Sequence, residues 1–146
     1  MKRSTLALSA LLAGSLHCAG ASLGAPPQLS FPAPPEAAAG VPDFTGTWVG
    51  RYSSNVVPPT DVTLIFQQRG ATVTGTYLAA NGAQGVMYGI AALQQTPLQA
   101  EQKTPTCLGA FAMPSQVQGN TMTWKFIGKD CLGDENGTGS ATRSGS

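Results

Sequence analysis

The sequence has few of the side chains that enzymes use for catalysis or metal binding. His17 is the only histidine, and it lies near the N-terminus. The rest of the chain therefore has no Ser-His or Cys-His nucleophile pair and no histidine metal site, and the pattern shows no carboxylate pair on facing strands. We expect a protein that is not an enzyme, with no catalytic residues, no metal and no cofactor.

Charge is also scarce. Charged residues make up 10% of the chain, and they form no basic cluster. Nucleic-acid-binding domains need such a cluster to neutralise phosphates, so we expect no nucleic-acid partner. The chain contains 18 glycines and many threonines instead, a composition typical of an all-β fold.

Long hydrophobic runs are missing as well. The apolar stretch at residues 6–16 is too short for a transmembrane helix, which needs about 20 residues. It follows Lys2 and Arg3 and precedes small residues, which is the layout of a secretory signal peptide. We predict a signal peptide over residues 1–21, cleaved after Ala21, and a bacterial protein exported to the periplasm or the extracellular space.

In a second interpretation of the N-terminus, Cys18 is the lipidated first residue of a bacterial envelope lipoprotein. His17 stands where such a cleavage signal has a small residue, which counts against this alternative. Only a lipid anchor would give the protein contact with a membrane. Residues 22–42 are rich in proline and alanine and predict a semi-rigid spacer, which leaves residues 43–146 as the folded domain.

The clearest structural signal is a β-hairpin over residues 61–78. Large apolar residues recur at every second position from Val62 to Phe66, and the same period of two returns from Thr72 to Tyr77, after a turn that contains Gly70. Alternation with period two around a glycine turn predicts two antiparallel strands.

The same pattern recurs along the domain. Further strands are predicted over residues 44–52, 87–93, 106–113, 121–127 and 139–143. Residues 96–103 fit either a strand or a short helix, and the short connections favour the strand. This series of hairpins predicts a small antiparallel up-and-down barrel of about eight strands, with a β-sandwich as the alternative.

Asp130, Asp134 and Glu135 form the only carboxylate cluster, in a glycine-rich stretch over residues 130–137. Their spacing departs from that of an EF-hand calcium loop. We therefore predict a solvated acidic loop and no metal site.

The number of cysteines predicts a disulfide. With Cys18 in the leader, Cys107 and Cys131 remain as a pair, and disulfides persist in exported proteins. A three-residue turn at 118–120 would place these two cysteines opposite each other. That register puts Phe111 on the other face from the tryptophan of the next strand, unless a bulge near Gly128 restores the alternation.

Three stretches resemble avidin and streptavidin and occur there in the same order: Gly46-Thr47-Trp48, Thr74-Gly75-Thr76-Tyr77 and Thr123-Trp124-Lys125-Phe126. A Gly-x-Trp in the first strand is also similar to the lipocalins. The resemblance implies a small β-barrel in which Tyr77 and Trp124 match the biotin-contacting Tyr and Trp, and Ser54 a polar contact. The chain departs from the avidin pattern at Gly50, where that pattern carries a polar ligand-binding residue.

Aromatic residues and glycines share the inner face of the predicted barrel. Side chains fill some small barrels, whereas others hold one small ligand. In the second case Trp48, Tyr77 and Trp124 would bind a small, largely apolar ligand. We therefore expect an exported, non-enzymatic binding module. The alternatives are a protein-binding module, such as an inhibitor of a secreted enzyme acting through the loop at 53–60, and a structural envelope lipoprotein.

Overall fold

The structure is a computed structural model that describes residues 40–145. These residues form eight strands: β1 (Gly46–Ser54), β2 (Thr60–Arg69), β3 (Thr72–Ala79), β4 (Gln84–Ile90), β5 (Thr96–Thr104), β6 (Cys107–Gln118), β7 (Thr121–Asp130) and β8 (Gly133–Arg143). Each strand pairs antiparallel with its neighbours in sequence, and β1 also pairs with β8, so the sheet closes into a barrel. The predicted up-and-down barrel is confirmed, and the sandwich alternative is wrong.

Within the described range, no helix is long and apolar enough to cross a membrane. The predicted signal peptide over residues 1–21, including Cys18, lies outside the described residues, and so does nearly all of the predicted spacer over 22–42.

The predicted hairpin over residues 61–78 corresponds to β2 and β3, in which Phe66 lies opposite Gly75. Gly70, in the turn between them, has a φ of 59°, which glycine adopts without steric cost. The segment from Thr96 that fitted a strand or a helix is strand β5. Because its proline and its polar residues lie in a ladder between β4 and β6, pairing with these neighbours determines its conformation.

Side chains alternate strictly between the inside of the barrel and the solvent. The largest inward side chains form one apolar core, and the outward positions carry mostly threonine, glutamine and charged residues. The core includes Phe44, Trp48, Leu64, Phe66, Met87, Leu98, Phe111, Met113, Met122 and Trp124.

Phe44 and Trp48 close the barrel at the end where β1 begins and β8 ends, and both are fully buried. The indole Nε1 of Trp48 donates a hydrogen bond to the backbone oxygen of Phe44 at 2.8 Å. The backbone N–H of Phe44 in turn donates to Gln68 Oε1 at 2.8 Å. These bonds satisfy polar groups that would otherwise be buried without partners.

Arg143 covers this closed end. Its guanidinium carbon lies 4.3 Å from the centre of the Trp48 ring, the arrangement of a cation–π contact. Its N–H groups donate to the backbone oxygens of Thr45 and Asp43. The last residue of β8 thus holds the segment that precedes β1.

The predicted acidic loop at residues 130–137 is wrong for most of its length, because only two residues separate β7 from β8. Gly137 and Gly139 face inward on β8. A Cβ at these positions would overlap the rings of Phe126 and Trp124, which lie across from them on β7. Glycine here makes room for aromatic rings rather than turning the chain.

The turn between β6 and β7 contains two residues, Gly119 and Asn120, rather than the predicted three. In this register Phe111 and Trp124 both face the interior. The bulge predicted near Gly128 is therefore unnecessary.

The predicted disulfide between Cys107 and Cys131 is confirmed, with Cα atoms 5.2 Å apart. It joins the first residue of β6 to the turn between β7 and β8. This cross-link lies at the end of the barrel opposite Trp48, beside the cavity described below. A disulfide is compatible with an oxidising compartment.

Candidate ligand cavity

The end of the barrel opposite Trp48 contains a cavity of about 330 Å³. Ligand-binding pockets typically have volumes of roughly 300 to 1,000 Å³, so this one suits a small molecule. Turns from four hairpins surround its mouth and contribute Val57, Asn81, Gly82, Ala83, Thr106, Cys131 and Leu132.

The wall of the cavity is mainly apolar. Its aromatic members are Tyr52, Tyr77, Phe111, Trp124 and Phe126, and its aliphatic members are Val62, Leu64, Met87, Ala100 and Met113. Glycines on neighbouring strands make room for the side chains of the wall, as at Gly85, where a Cβ would clash with the backbone oxygen of Glu101 and lie 2.9 Å from the ring of Tyr77. A partly empty barrel of this kind can hold one small ligand.

The aromatic rings pack edge to face. Phe111 and Phe126 have ring centres 5.9 Å apart with their planes at 83°, and Tyr52 and Phe126 are 6.0 Å apart at 64°. Such pairs are favourable arrangements of aromatic quadrupoles. They hold a rigid apolar surface on the β7 side of the cavity.

Two of the three residues predicted to bind a ligand, Tyr77 and Trp124, line the cavity together. Trp48 is not among its lining residues in the described part of the chain, because it packs into the closed end. Ser54, matched to a polar contact by the avidin resemblance, does not line the cavity either. Its hydroxyl accepts hydrogen bonds from the backbone N–H groups of Val56 and Val57 and orders the loop after β1.

Polar groups gather near the mouth of the cavity. The carboxylate of Asp130 accepts a hydrogen bond from the backbone N–H of Leu132 at 2.7 Å and a longer one from Gln102 Nε2 at 3.4 Å. The hydroxyl of Tyr52 accepts a hydrogen bond from Asn81 Nδ2 at 3.1 Å. Asp130 and Tyr52 are thus held in place by donors from the barrel itself.

Burial raises the pKa of Tyr77 well above that of free tyrosine, and the nearby Tyr52, Asp130 and Glu135 raise it further. Burial also raises the pKa of Tyr52, although its hydrogen bond from Asn81 partly offsets the effect. Both phenols are therefore neutral at physiological pH and available as hydrogen-bond donors.

Sequence reasoning places two residues of this site wrongly, Glu135 and Asp130. The predicted solvated loop contains Glu135, yet this residue lies on β8, is 4% exposed and lines the cavity. The alternation of Glu135, Gly137 and Gly139 with polar residues was the available signal. Asp130, on the neighbouring strand, also lines the cavity, so two carboxylates face one space where none were expected.

Among the described residues, one group of side chains has a spacing that would suit a metal ion, and it consists of Cys107, Asp130 and Cys131. Both sulfur atoms belong to the disulfide. Metal coordination by cysteine requires thiolates, so this group has no thiolate ligand to offer while the disulfide is intact.

The fold and the cavity define a small up-and-down β-barrel that is open at one end. No family model matches the chain, and a search of the curated proteins found no match. Solved structures similar to it include a de novo designed fluorescence-activating β-barrel and a redesigned β-barrel bound to DFHBI. The first is 19% identical with a TM-score of 0.50, and the match covers 69% of this chain and 94% of that one. The second is 15% identical with a TM-score of 0.52, covering 68% and 97%.

At these identities the two likenesses show the fold alone. The resemblance to avidin and the lipocalins is thus supported as far as a small β-barrel, and neither family in particular is supported.

Proposed function

We propose that this protein is an exported binding module that holds one small, largely apolar ligand in its barrel. The observation that carries the proposal is the cavity of about 330 Å³, lined by aromatic and aliphatic side chains with polar groups near its mouth. An apolar wall with a few fixed polar groups is typical of small-molecule sites. Tyr77 and Trp124 are the predicted ligand contacts that belong to it, and Trp48 has a structural role at the closed end.

Two observations support binding rather than catalysis. Asp130, one of the two carboxylates in the cavity, already accepts hydrogen bonds from Leu132 and Gln102. The described residues include no histidine to act as a general base. The predicted signal segment and the disulfide support export, and the redesigned barrel bound to DFHBI is an example of this fold with a bound small molecule.

A protein-binding module is the second candidate, favoured by apolar side chains exposed around the open end. Val56, Leu108 and Leu132 are all exposed there. In this alternative, the loop that contains Val56 and the turn that contains Leu132 contact the surface of another protein, as an inhibitor of a secreted enzyme would.

Filling the cavity tests the proposal. Ala100 faces the cavity from β5, whereas Ala112 faces solvent from β6, so Ala100→Leu and Ala112→Leu add the same atoms on opposite sides of the wall. Lipid and small-metabolite extracts and neutral apolar compounds would be screened for shifts in tryptophan fluorescence and melting temperature. We expect a compound that binds the unaltered protein and Ala112→Leu but not Ala100→Leu.

A bound ligand at about 100 times its Kd would stabilise the fold by about 2.7 kcal/mol, which a melting experiment detects easily. If no extract or compound changes the fluorescence or the melting temperature, the ligand proposal is wrong. Binding of a secreted enzyme that is lost on Val56→Asp, but kept in Ala100→Leu, would instead support the second candidate.

A further inference from the structure

The carboxylates of the described residues fall into two groups. On the outside of the barrel and at its closed end, each one pairs with a cation: Asp43 with Arg143 at 3.7 Å, Asp61 with Arg51 at 2.8 Å, Glu101 with Lys103 at 3.1 Å and Asp134 with Lys129 at 3.8 Å. The other two, Asp130 and Glu135, face the cavity and have no cationic partner within residues 40–145.

Glu135 is the more unusual of these two carboxylates. Asp130 accepts hydrogen bonds from Leu132 and Gln102. The side chain of Glu135 takes part in no hydrogen bond or ion pair with any described residue, although the residue is 4% exposed. No fully buried side-chain oxygen of the described residues lacks a partner, so the carboxylate oxygens of Glu135 must face the water-accessible space of the cavity. A ligand that displaces this water has to compensate the carboxylate, because a buried charge is normally paired or hydrogen-bonded.

The surroundings of Glu135 are aromatic. Its cross-strand neighbour is Gly128, and the next inward residue on β8 is Gly137. A Cβ at Gly128 would overlap Phe111, and one at Gly137 would lie 2.6 Å from the ring of Phe126. The rings of Phe111 and Phe126 therefore cover the two inward positions next to Glu135, and both rings line the same cavity. Ring faces and a carboxylate together are the groups that attract an organic ammonium ion in proteins.

The rest of the cavity lining also favours a cationic ligand. No lysine or arginine of the described chain lines the cavity, and Tyr52 and Tyr77 are neutral there. An anionic ligand would face two like charges, and a neutral ligand without a donor would leave Glu135 unpaired. A cation compensates the carboxylate and keeps its apolar part against the aromatic wall.

We propose that the ligand of this cavity is an organic cation, a small apolar molecule whose ammonium group pairs with Glu135 beside Phe111 and Phe126. This inference rests on the proposed function, since it specifies the chemistry of the ligand that the cavity holds. It assigns to Glu135 the role of the residue that determines the charge of the ligand.

Three probes of one shape test the inference on the full-length protein: 1-naphthylmethylamine, 1-naphthylmethanol and 1-naphthoate, measured by titration calorimetry at neutral pH. We expect the amine to bind at least about ten-fold more tightly than the alcohol, because charge-assisted hydrogen bonds are roughly twice as strong as neutral ones. The carboxylate should bind most weakly. This comparison needs no variant and so does not depend on a variant's folding.

A matched pair of variants then locates the effect. In Glu135→Gln the preference for the amine over the alcohol should fall to about three-fold or less, because the amide keeps the shape and removes the charge. Asp134→Asn also replaces a carboxylate by its amide, in the preceding residue, which faces solvent and pairs with Lys129. This variant should leave the preference for the amine unchanged. Circular dichroism melts show whether each variant is folded.

The outcomes separate the inference from the proposed function. If the alcohol binds as tightly as the amine or more tightly, the cation inference is wrong and a neutral-ligand cavity stands. If Asp134→Asn loses the preference as well, net charge is responsible and the assignment to Glu135 is wrong. If none of the three probes binds at millimolar concentration, both the proposed function and this inference are overturned.

Discussion

Gly139 lies directly beneath the indole of Trp124. The two residues are cross-strand partners on β8 and β7, and a Cβ at position 139 would overlap the six-membered ring of the tryptophan. The position of the largest side chain in the cavity wall therefore depends on the absence of a side chain on the next strand.

The first prediction concerns this pair. Gly139→Ala should lower the free energy of unfolding by about 1 to 3 kcal/mol, because the added methyl group forces Trp124 or the backbone to move. Gly145→Ala is the control, since a Cβ there meets nothing within 4 Å. Urea denaturation measures both. Equal stability of the two variants would contradict the close approach of residue 139 and the indole.

The second prediction concerns the disulfide. Replacing Cys107 and Cys131 by serine should cost about 3.5 kcal/mol, because the cross-link closes a loop with a sequence separation of 24. Peptide mapping without reduction should recover the two cysteines in one linked peptide. Leu108→Ser, an exposed change beside Cys107, should alter stability by less than about 0.5 kcal/mol. Separate peptides in unreduced material would refute the cross-link.

The third prediction concerns alkaline pH. Burial raises the pKa of Tyr77, so the folded protein keeps this proton at pH values where the unfolded chain, with an ordinary pKa of about 10, releases it. The unfolded state is then favoured, and stability that is present below pH 10 should decline as the pH rises above it. Tyr77→Phe should make this decline shallower in urea melts at stepped pH. An unchanged slope would show that Tyr77 titrates normally.

A related measurement checks the position of Glu135. Its negative charge contributes to the raised pKa values of Tyr52 and Tyr77. In Glu135→Gln, spectrophotometric titration should therefore show the buried phenols ionising at lower pH than in the unaltered protein. Asp134→Asn provides the comparison, since this carboxylate is on the outer face with Lys129 and should leave both phenol titrations where they are.

The fourth prediction concerns the closed end. Arg143→Lys should lower stability by about 1 to 2 kcal/mol, because an ammonium group cannot reproduce both the stacking on Trp48 and the hydrogen bonds to two backbone oxygens. Arg69→Lys, at the exposed end of β2, should have little effect. Thermal melts of the two variants give the answer, and equal melting temperatures would remove the role assigned to Arg143.

The alternation of side chains carried most of the fold prediction. Period two in β2 and β3 indicated the inward residues, and the number of such segments indicated a barrel of about eight strands. The alternation could not indicate how far along the barrel axis a residue lies, because that position depends on the register of every ladder. Trp48 and Trp124 therefore both appeared as inner aromatic residues, although one closes an end and the other lines the cavity.

The error at β8 has a different physical cause. Its glycines and acidic residues are those that favour turns, and the local composition alone predicted a loop. These glycines are required because aromatic rings on β7 lie against them. The local sequence of β8 does not contain this information. Glu135 was missed for the same reason, because its burial follows from the pairing of β7 with β8 rather than from its neighbours in sequence.

The pairing of β1 with β8, which closes the barrel, has a consequence for the order of folding. Every ladder except the one between β1 and β8 joins neighbours in sequence, whereas the hydrogen bonds of Arg143 to Thr45 and Asp43 span 98 and 100 residues. Closing so long a loop has a high entropic cost, so we expect this ladder to form after the transition state. Arg143→Lys should then accelerate unfolding and barely change the folding rate, whereas Phe66→Leu in the β2–β3 hairpin should slow folding in stopped-flow experiments.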